Sequence, residues 1–320
     1  MTPYKDLKPL VIGIGVAGRR HLEAQLNLGI RTGVFTTNPQ TAKFLKGQDK
    51  IIVFDDLQEG LNWSNLIHVC TPDDKHTEFV AKAIKKRRAV LCEKSFTTSI
   101  EDALYLQKLA HEYNATVIVG QNYRLTPTFL ETRKMILEGR LGPIRKIETT
   151  YIHDKNDYQQ RYSDKNFLYI GGSHAVDLAC WVTDEQIVSM QATSENELSY
   201  QIAVEFSSKL SIRIILDASS SQLRNGTDLI VEGKAGKLVS HNKIDKLLFY
   251  KKGNKKPQSI KLPNNQTRTI FLEVKIVDDY LLGKINSYSP LPGVDEAVNT
   301  IQVLDAIQRA VSLGSKVALN

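Results

Sequence analysis

The sequence predicts an α/β fold, with a doubly wound parallel sheet in the first part of the chain and an α+β domain with a mainly antiparallel sheet in the second. Three observations carry this reading. Short, continuously apolar runs alternate with helix-like blocks up to about residue 120. A glycine-rich turn directly follows the first of these runs. After Arg124 the pattern changes to strands of alternating apolar and polar residues. At 320 residues the chain also exceeds the roughly 250–300 residues at which a single core stops growing. The boundary expected from the change of pattern gives domains 1–124 and 125–320.

The first domain begins with an apolar run at 10–12, followed by helical spacing over 16–28. Further strands are expected at 33–35, 51–53, 66–70, 89–92 and 116–119, with helices over 73–86 and 100–113. Strands that are apolar throughout are buried on both faces, which is the signature of a parallel sheet covered by helices. In the second domain a helix over 128–138 leads to Leu141-Gly142-Pro143. Strands follow at 144–152, 187–193, 200–206, 210–216 and 229–232, with turn signals at Asn225-Gly226 and Lys252-Gly253-Asn254. Helices over 268–282 and 294–313 close the chain. So few late helices cannot cover both faces of the sheet, and self-association into a homodimer or homotetramer through an apolar outer face is expected.

Composition narrows the functional classes. Hydrophobic residues make up 42% and charged residues 24% of the chain, which is ordinary for a globular protein. The net charge is +7, concentrated at 82–88 (KAIKKRR) and 251–256 (KKGNKK). Neither run has interleaved aromatics or a binding motif, so they read as a solvated helix end and a hairpin tip, and no nucleic-acid partner is expected. No apolar stretch is long enough for a bilayer and the first residues lack a signal core, which points to a cytoplasmic protein with no membrane partner. Cys70, Cys92 and Cys180 lie in apolar runs without Cys-x-x-Cys spacing. They read as buried thiols rather than disulfide partners, and no metal site is expected.

The most informative local motif is Gly13-Ile14-Gly15-Val16-Ala17-Gly18, between a strand and a helix. Gly13 suits the tight turn, Gly15 the approach of a pyrophosphate, and Gly18 the close packing of helix on strand. The helix start then offers free N–H groups and a positive dipole end to phosphates. NAD-binding domains usually carry an acidic residue at the end of the second strand for the ribose hydroxyls. That position falls in Thr36-Thr37-Asn38, where no carboxylate stands. Without that negative charge, and with hydroxyl and amide groups present, the site leans toward NADP over NAD.

Further stretches then form an ordered set. They are His21, Cys70-Thr71-Pro72 with His76, Cys92-Glu93-Lys94-Ser95, Gly120-Gln121-Asn122-Tyr123-Arg124, and Gly171-Gly172-Ser173-His174-Ala175-Val176-Asp177. With the glycine motif they resemble the Gfo/Idh/MocA oxidoreductase family over nearly the whole chain. The resemblance implies a Rossmann domain followed by a domain with a large open-faced sheet, and substrates drawn from sugars, polyols and their derivatives. It implies that Thr71, Pro72, His76, Glu93 and Asn122 line the cofactor groove with Cys70, and that Tyr123 and Arg124 lie at its substrate end. It makes Lys94 the proton-transferring group and His174 its assistant, both also touching substrate, with Asp177 as a possible partner of His174. Independently of the family, a lysine beside a positively charged nicotinamide is suited to accept an alcohol proton.

Two departures stand out. Ile170 occupies the position where resembling enzymes carry an aspartate four residues before the histidine. Ser95 replaces a proline after the lysine, from which a trans peptide and a slightly displaced lysine are expected. The functional expectation is hydride transfer between a nicotinamide and a secondary alcohol or ketone. The alternative is a catalytically inactive NAD(P)-binding regulator.

Overall fold

The computed structural model describes residues 6–162, 166–183, 187–206, 208, 210–223, 225–243, 245–263 and 268–319. The chain folds as two compact units, residues 1–122 with 267–301, and residues 123–266 with 302–320. The division therefore differs from a single boundary at 124/125, because the chain returns to the first unit near its end.

In the first unit the strands are β1 (Pro9–Ile12), β2 (Thr32–Phe35), β3 (Ile51–Val53), β4 (Leu66–Val69), β5 (Ala89–Glu93) and β6 (Val117–Gly120). Among the described residues they form one sheet in the order β3-β2-β1-β4-β5-β6, parallel throughout. The order reverses between β1 and β4, and ligands bind at such a switch point, outside the carboxyl ends of the strands. Every residue of β1, β4 and β6 is buried, as the unbroken apolar runs require.

The intervening helices are α1 (Val16–Asn27), α2 (Pro39–Leu45), α3 (Leu57–Trp63), α4 (His76–Lys85) and α5 (Ile100–Tyr113). Local signals start several of them. Asn38 caps α2 by accepting from the Gln40 and Thr41 N–H groups, Asp56 caps α3 from Glu59, and Ser99 caps α5 from Asp102. The basic run at 82–88 lies at the end of α4, with Lys85, Lys86 and Arg87 exposed.

In the second unit α6 (Pro127–Leu137) precedes β7 (Ile144–Ile152), and three helices follow: α7 (Lys155–Tyr162), α8 (Phe167–Ile170) and α9 (Gly172–Thr183). The remaining strands are β8 (Ile187–Asn196), β9 (Ser199–Phe206), β10 (Ser211–Asp217), β11 (Gly226–Gly233), β12 (Gly236–His241), β13 (Lys246–Lys251) and β14 (Gln258–Lys261). After α10 (Thr269–Leu281) and α11 (Val294–Leu313), β15 (Val317–Ala318) ends the chain. Among the described residues the sheet order is β14-β13-β12-β11-β7-β10-β9-β8-β15. Among the described residues of this sheet only the β7–β10 pairing is parallel.

Burial alternates along β9 and β10, so one face is packed and one is open. On the open face Gln201, Glu205 and Arg213 are exposed, and Arg213 bonds Gln201 across the strands at 3.1 Å. This stretch is polar, which corrects the expectation of an apolar outer face: the alternate positions are filled by groups that water satisfies. Most of the polar stretch at 153–162 is the helix α7.

Candidate functional site

In the first unit the glycine motif forms a cradle that side chains would fill. Gly13 has φ of +86°, and a Cβ there would come within 2.8 Å of the Cys70 carbonyl oxygen. A Cβ on Gly18 would lie 1.9 Å from the Gly13 carbonyl oxygen, so only glycine lets α1 start this close to β1. A Cβ on Gly15 would meet nothing within 4 Å, which leaves open space at the turn. Neither a capping side chain nor an acidic residue occupies the first turn of α1, and Val16 is 74% exposed. The helix therefore keeps its free N–H groups and its positive end, as a phosphate site needs. Val16 and Ala17 supply that turn. These residues fit a dinucleotide pyrophosphate.

At the end of β2, Thr36 Oγ1 accepts from Asn38 N at 3.3 Å, and Asn38 Oδ1 is committed to the α2 cap. Thr37 lies between them, and no carboxylate is present, as the sequence indicated.

His76 links the loops that leave β4 and β5. Its Nδ1 lies 2.7 Å from the Ser95 carbonyl and its Nε2 lies 3.0 Å from the Thr71 carbonyl. It is 1% exposed, not a solvated first-turn residue. Burial lowers its affinity for a second proton more than the two carbonyls raise it. The Lys94–Ser95 peptide is cis, which corrects the trans expectation. Ser95 is fully buried and its carbonyl faces His76, so packing sets the backbone here instead of a proline ring.

Lys94 stands at the carboxyl end of β5 and is half-buried. Burial lowers its ammonium group below the usual lysine range, against the opposing pull of Glu93 and Asp73. Burial alone would raise the Glu93 carboxyl. The His21 hydrogen bond and the electrostatic pull of His21, Lys94 and His76 outweigh it and hold the group below the usual carboxylate range. Asn122 follows β6 and donates to Thr269 Oγ1 at 3.4 Å.

Sequence reasoning missed two parts of this site. His68 is an isolated polar residue in the apolar run of β4, and Glu273 interrupts an apolar stretch of α10. Both were visible as polar residues where the pattern demands apolar ones. His21, Glu93 and Glu273 bring ligand-type atoms within 4.8 Å of one another, the one such group among the described residues.

In the second unit His174, on α9, stacks on Tyr123 with ring centroids 4.0 Å apart and planes 11° from parallel. Tyr151 lies beyond it at 6.1 Å. The backbone at Gly171 allows this approach, since a Cβ there would stand 2.5 Å from the Tyr151 ring. Arg124 donates to both oxygens of Asp177, at 2.8 and 2.7 Å, with 3% and 1% of the side chains exposed. Asp177 is thus engaged by Arg124, which ties the turn at 123–125 to α9, where Trp181 also faces the guanidinium at 5.7 Å. Ile170 closes α8 and is buried. The structure therefore joins Tyr123 with His174 and Arg124 with Asp177, whereas Lys94 belongs to the other unit. Burial pushes the Cys70 and Cys92 thiols well above their usual range and Cys180 to about 12, which suits inert thiols.

Residues 7–121 match the family model described as an oxidoreductase family with an NAD-binding Rossmann fold, and residues 133–319 match the α/β C-terminal domain of the same family. The chain belongs to the Gfo/Idh/MocA oxidoreductase family. The inositol 2-dehydrogenase of Rhizobium meliloti is 28% identical over 133 residues, 39% of this chain and 38% of that protein. The scyllo-inositol 2-dehydrogenase (NADP(+)) of Bacillus subtilis is 31% identical over 117 residues, 35% of this chain and 33% of that protein. The matches thus span only about a third of either relative's length. The family fold is shared by an inositol dehydrogenase homolog from Azotobacter vinelandii, solved with NADH and myo-inositol. Its TM-score is 0.85 at 16% identity, covering 98% of this chain and 97% of that one. Among the described residues no helix is long and apolar enough to cross a membrane.

Proposed function

We propose that this family member is an NAD(P)-dependent dehydrogenase or reductase acting on a secondary alcohol, or the matching ketone, of a sugar, polyol or sugar derivative. The observation that carries the reading is Lys94, half-buried at the carboxyl end of a central strand of the dinucleotide-type sheet, with its ammonium destabilised by burial. The dinucleotide would be held at its phosphates by Gly13, Gly15, Val16, Ala17 and Gly18, at its ribose by Thr36, Thr37 and Asn38, and along the groove by Thr71, Pro72, His76, Glu93 and Asn122. When bound it supplies the hydride acceptor or donor.

Lys94 Nζ takes the hydroxyl proton in oxidation and returns it in reduction. Burial helps because the neutral amine must be populated for the first of these steps. His174, fixed in orientation by the Tyr123 stack, positions the substrate hydroxyl. The Arg124–Asp177 pair holds the backbone that carries Tyr123 relative to α9. Within the second unit this is an arrangement for orientation, with Lys94 as the single proton carrier of the scheme.

The uncharged Thr36-Thr37-Asn38 turn favours NADP, and the named cofactor of the Bacillus subtilis relative supports that lean. Fluorescence titration is expected to give tighter binding of NADPH than NADH, and equal or tighter NADH binding would overturn the preference. A panel of inositols, sugars and keto-sugars then tests turnover. Ile170 favours a second reading, a cofactor-binding regulator without turnover. Tight cofactor binding with an inert panel would establish it over the first. Self-association is part of the proposal, with a polar rather than apolar contact where β9 and β10 are open, and light scattering showing a monomer at micromolar concentration would remove it.

A further inference from the structure

Behind Lys94, inside the first unit, runs a chain of polar side chains that the proposed reaction does not use. Gln25 Nε2 lies 3.1 Å from Asp278 Oδ1 and 3.0 Å from His68 Nε2. An amide nitrogen only donates, so His68 accepts at Nε2 and carries its proton on Nδ1. His68 Nδ1 lies 2.9 Å from His21 Nδ1. His21 therefore accepts there and carries its own proton on Nε2. That N–H donates to Glu93 Oε1 at 2.9 Å. Each link fixes the next, and the chain ends on an oxygen that accepts. Gln25, His68 and His21 are 0% exposed, so water offers none of them a substitute partner.

We propose that the Gln25–His68–His21 chain is a positioning device that holds Glu93 ionised and fixed beside Lys94, and thereby sets the pH at which Lys94 exchanges its proton. The inference rests on the reading of Lys94 as the acid–base group.

The groups around Glu93 fit this role. Facing it are His21 from α1, His76 from α4, Lys94 from its own strand end, Glu273 from α10, and the thiols Cys70 and Cys92. Glu273 is 0% exposed, lies 3.7 Å from His21 Nε2, and has no hydrogen-bond partner at either oxygen among the described residues. Burial and the Glu93 charge push its carboxyl well above the usual range. Glu93 stands beside the lysine together with Asp73, from the turn before α4, whose charge acts on Lys94 in the same direction. Gly120 makes room for the Glu273 carboxyl, since a Cβ there would lie 2.9 Å from Glu273 Oε1. A cation bound by His21, Glu93 and Glu273 would need the His21 Nε2 lone pair, which this proton arrangement does not offer. Nor does the chain export protons, because Gln25 interrupts it with an amide that does not pass them on.

The test reads Lys94 directly in the full-length protein without substrate. Competitive acetylation across pH, resolved at the Lys94 peptide by mass spectrometry, gives the midpoint at which the amine becomes reactive. Removing a negative neighbour lowers that midpoint. Glu93→Gln is expected to lower it by about one pH unit, and His21→Leu to lower it in the same direction, whereas His21→Gln, which keeps an N–H donor, stays with the parent. A purely structural histidine would change the melting temperature and leave the midpoint alone. An unchanged midpoint in folded His21→Leu overturns the proposal. Should that variant not fold, His68→Leu removes the partner of His21 instead of the ring at Glu93, and is read the same way. Lys94→Met separates the two levels of the argument. Full turnover in that variant defeats the acid–base reading, while an unmoved midpoint alongside an inactive Lys94→Met defeats only the positioning device.

Discussion

The two units treat buried charge differently. In the first, Glu93, Glu273 and Asp278 sit among histidines and an amide, and neighbours shift their carboxyls in different directions: Glu93 is held below the usual carboxylate range, Glu273 is pushed well above it, and Asp278 is pushed up to about 7 by burial and Asp279. In the second, Arg124 and Asp177 meet through two short charge-assisted bonds. The difference teaches what each arrangement is suited to. A row of weak acids and bases tunes a proton-transferring group, whereas a two-pronged ion pair locks geometry.

The largest effect expected from breaking this contrast lies at the tuned group itself. With any substrate found by screening, Lys94→Met should lower turnover by about 10²–10⁴-fold, with NADH affinity by fluorescence nearly unchanged. On the locked side, Arg124→Met leaves the Asp177 charge buried without its two-pronged partner and should destabilise the protein by about 3–5 kcal/mol in denaturant unfolding. The double variant Arg124→Met/Asp177→Leu should recover much of that loss. If it is no more stable than the single variant, the pair is not the lock described.

A finer cut separates binding from folding. Gly15→Ala meets no protein atom, so the melting temperature should hold while NADH affinity falls at least about tenfold, near 1.4 kcal/mol. An unaffected affinity would mean that the turn does not carry the phosphates. The smallest effect is a test of titration. The Asp278 carboxyl is raised in the folded state, so that state binds the proton more tightly than the unfolded chain does. The stabilisation is full below the ordinary aspartate range and is lost as pH rises through about 7. Asp278→Asn should therefore raise the melting temperature by about 2–4 °C at pH 8.5 and leave it unchanged near pH 4. An equal gain at both values would show that the carboxyl does not titrate as described.

The strands of the first unit were legible because each is a short apolar run, and the glycine motif because Gly13 and Gly18 each answer a steric demand of the backbone while Gly15 leaves open space at the turn. Helices α2 and α3 escaped the apolar pattern, although Asn38-Pro39 and Asp56 with Glu59 marked their starts. In the second unit β12, β13 and β14 were missed: they are short, and their partners are set by a sheet whose register no local window contains.

By itself the sequence determined the parallel sheet, the open-faced second sheet and the cofactor turn, because hydrophobic period and glycine sterics act within a few residues of the chain. It also placed Lys94 at a strand end. Only the tertiary structure decided that His68, in the interior of one strand, would orient His21 on a helix 47 residues earlier, that Arg124 would take both oxygens of Asp177, and that α10 would return to the first unit carrying Glu273. These pairings join residues far apart in the chain, and what fixes them is the need of a buried polar atom for a partner, which no local pattern records.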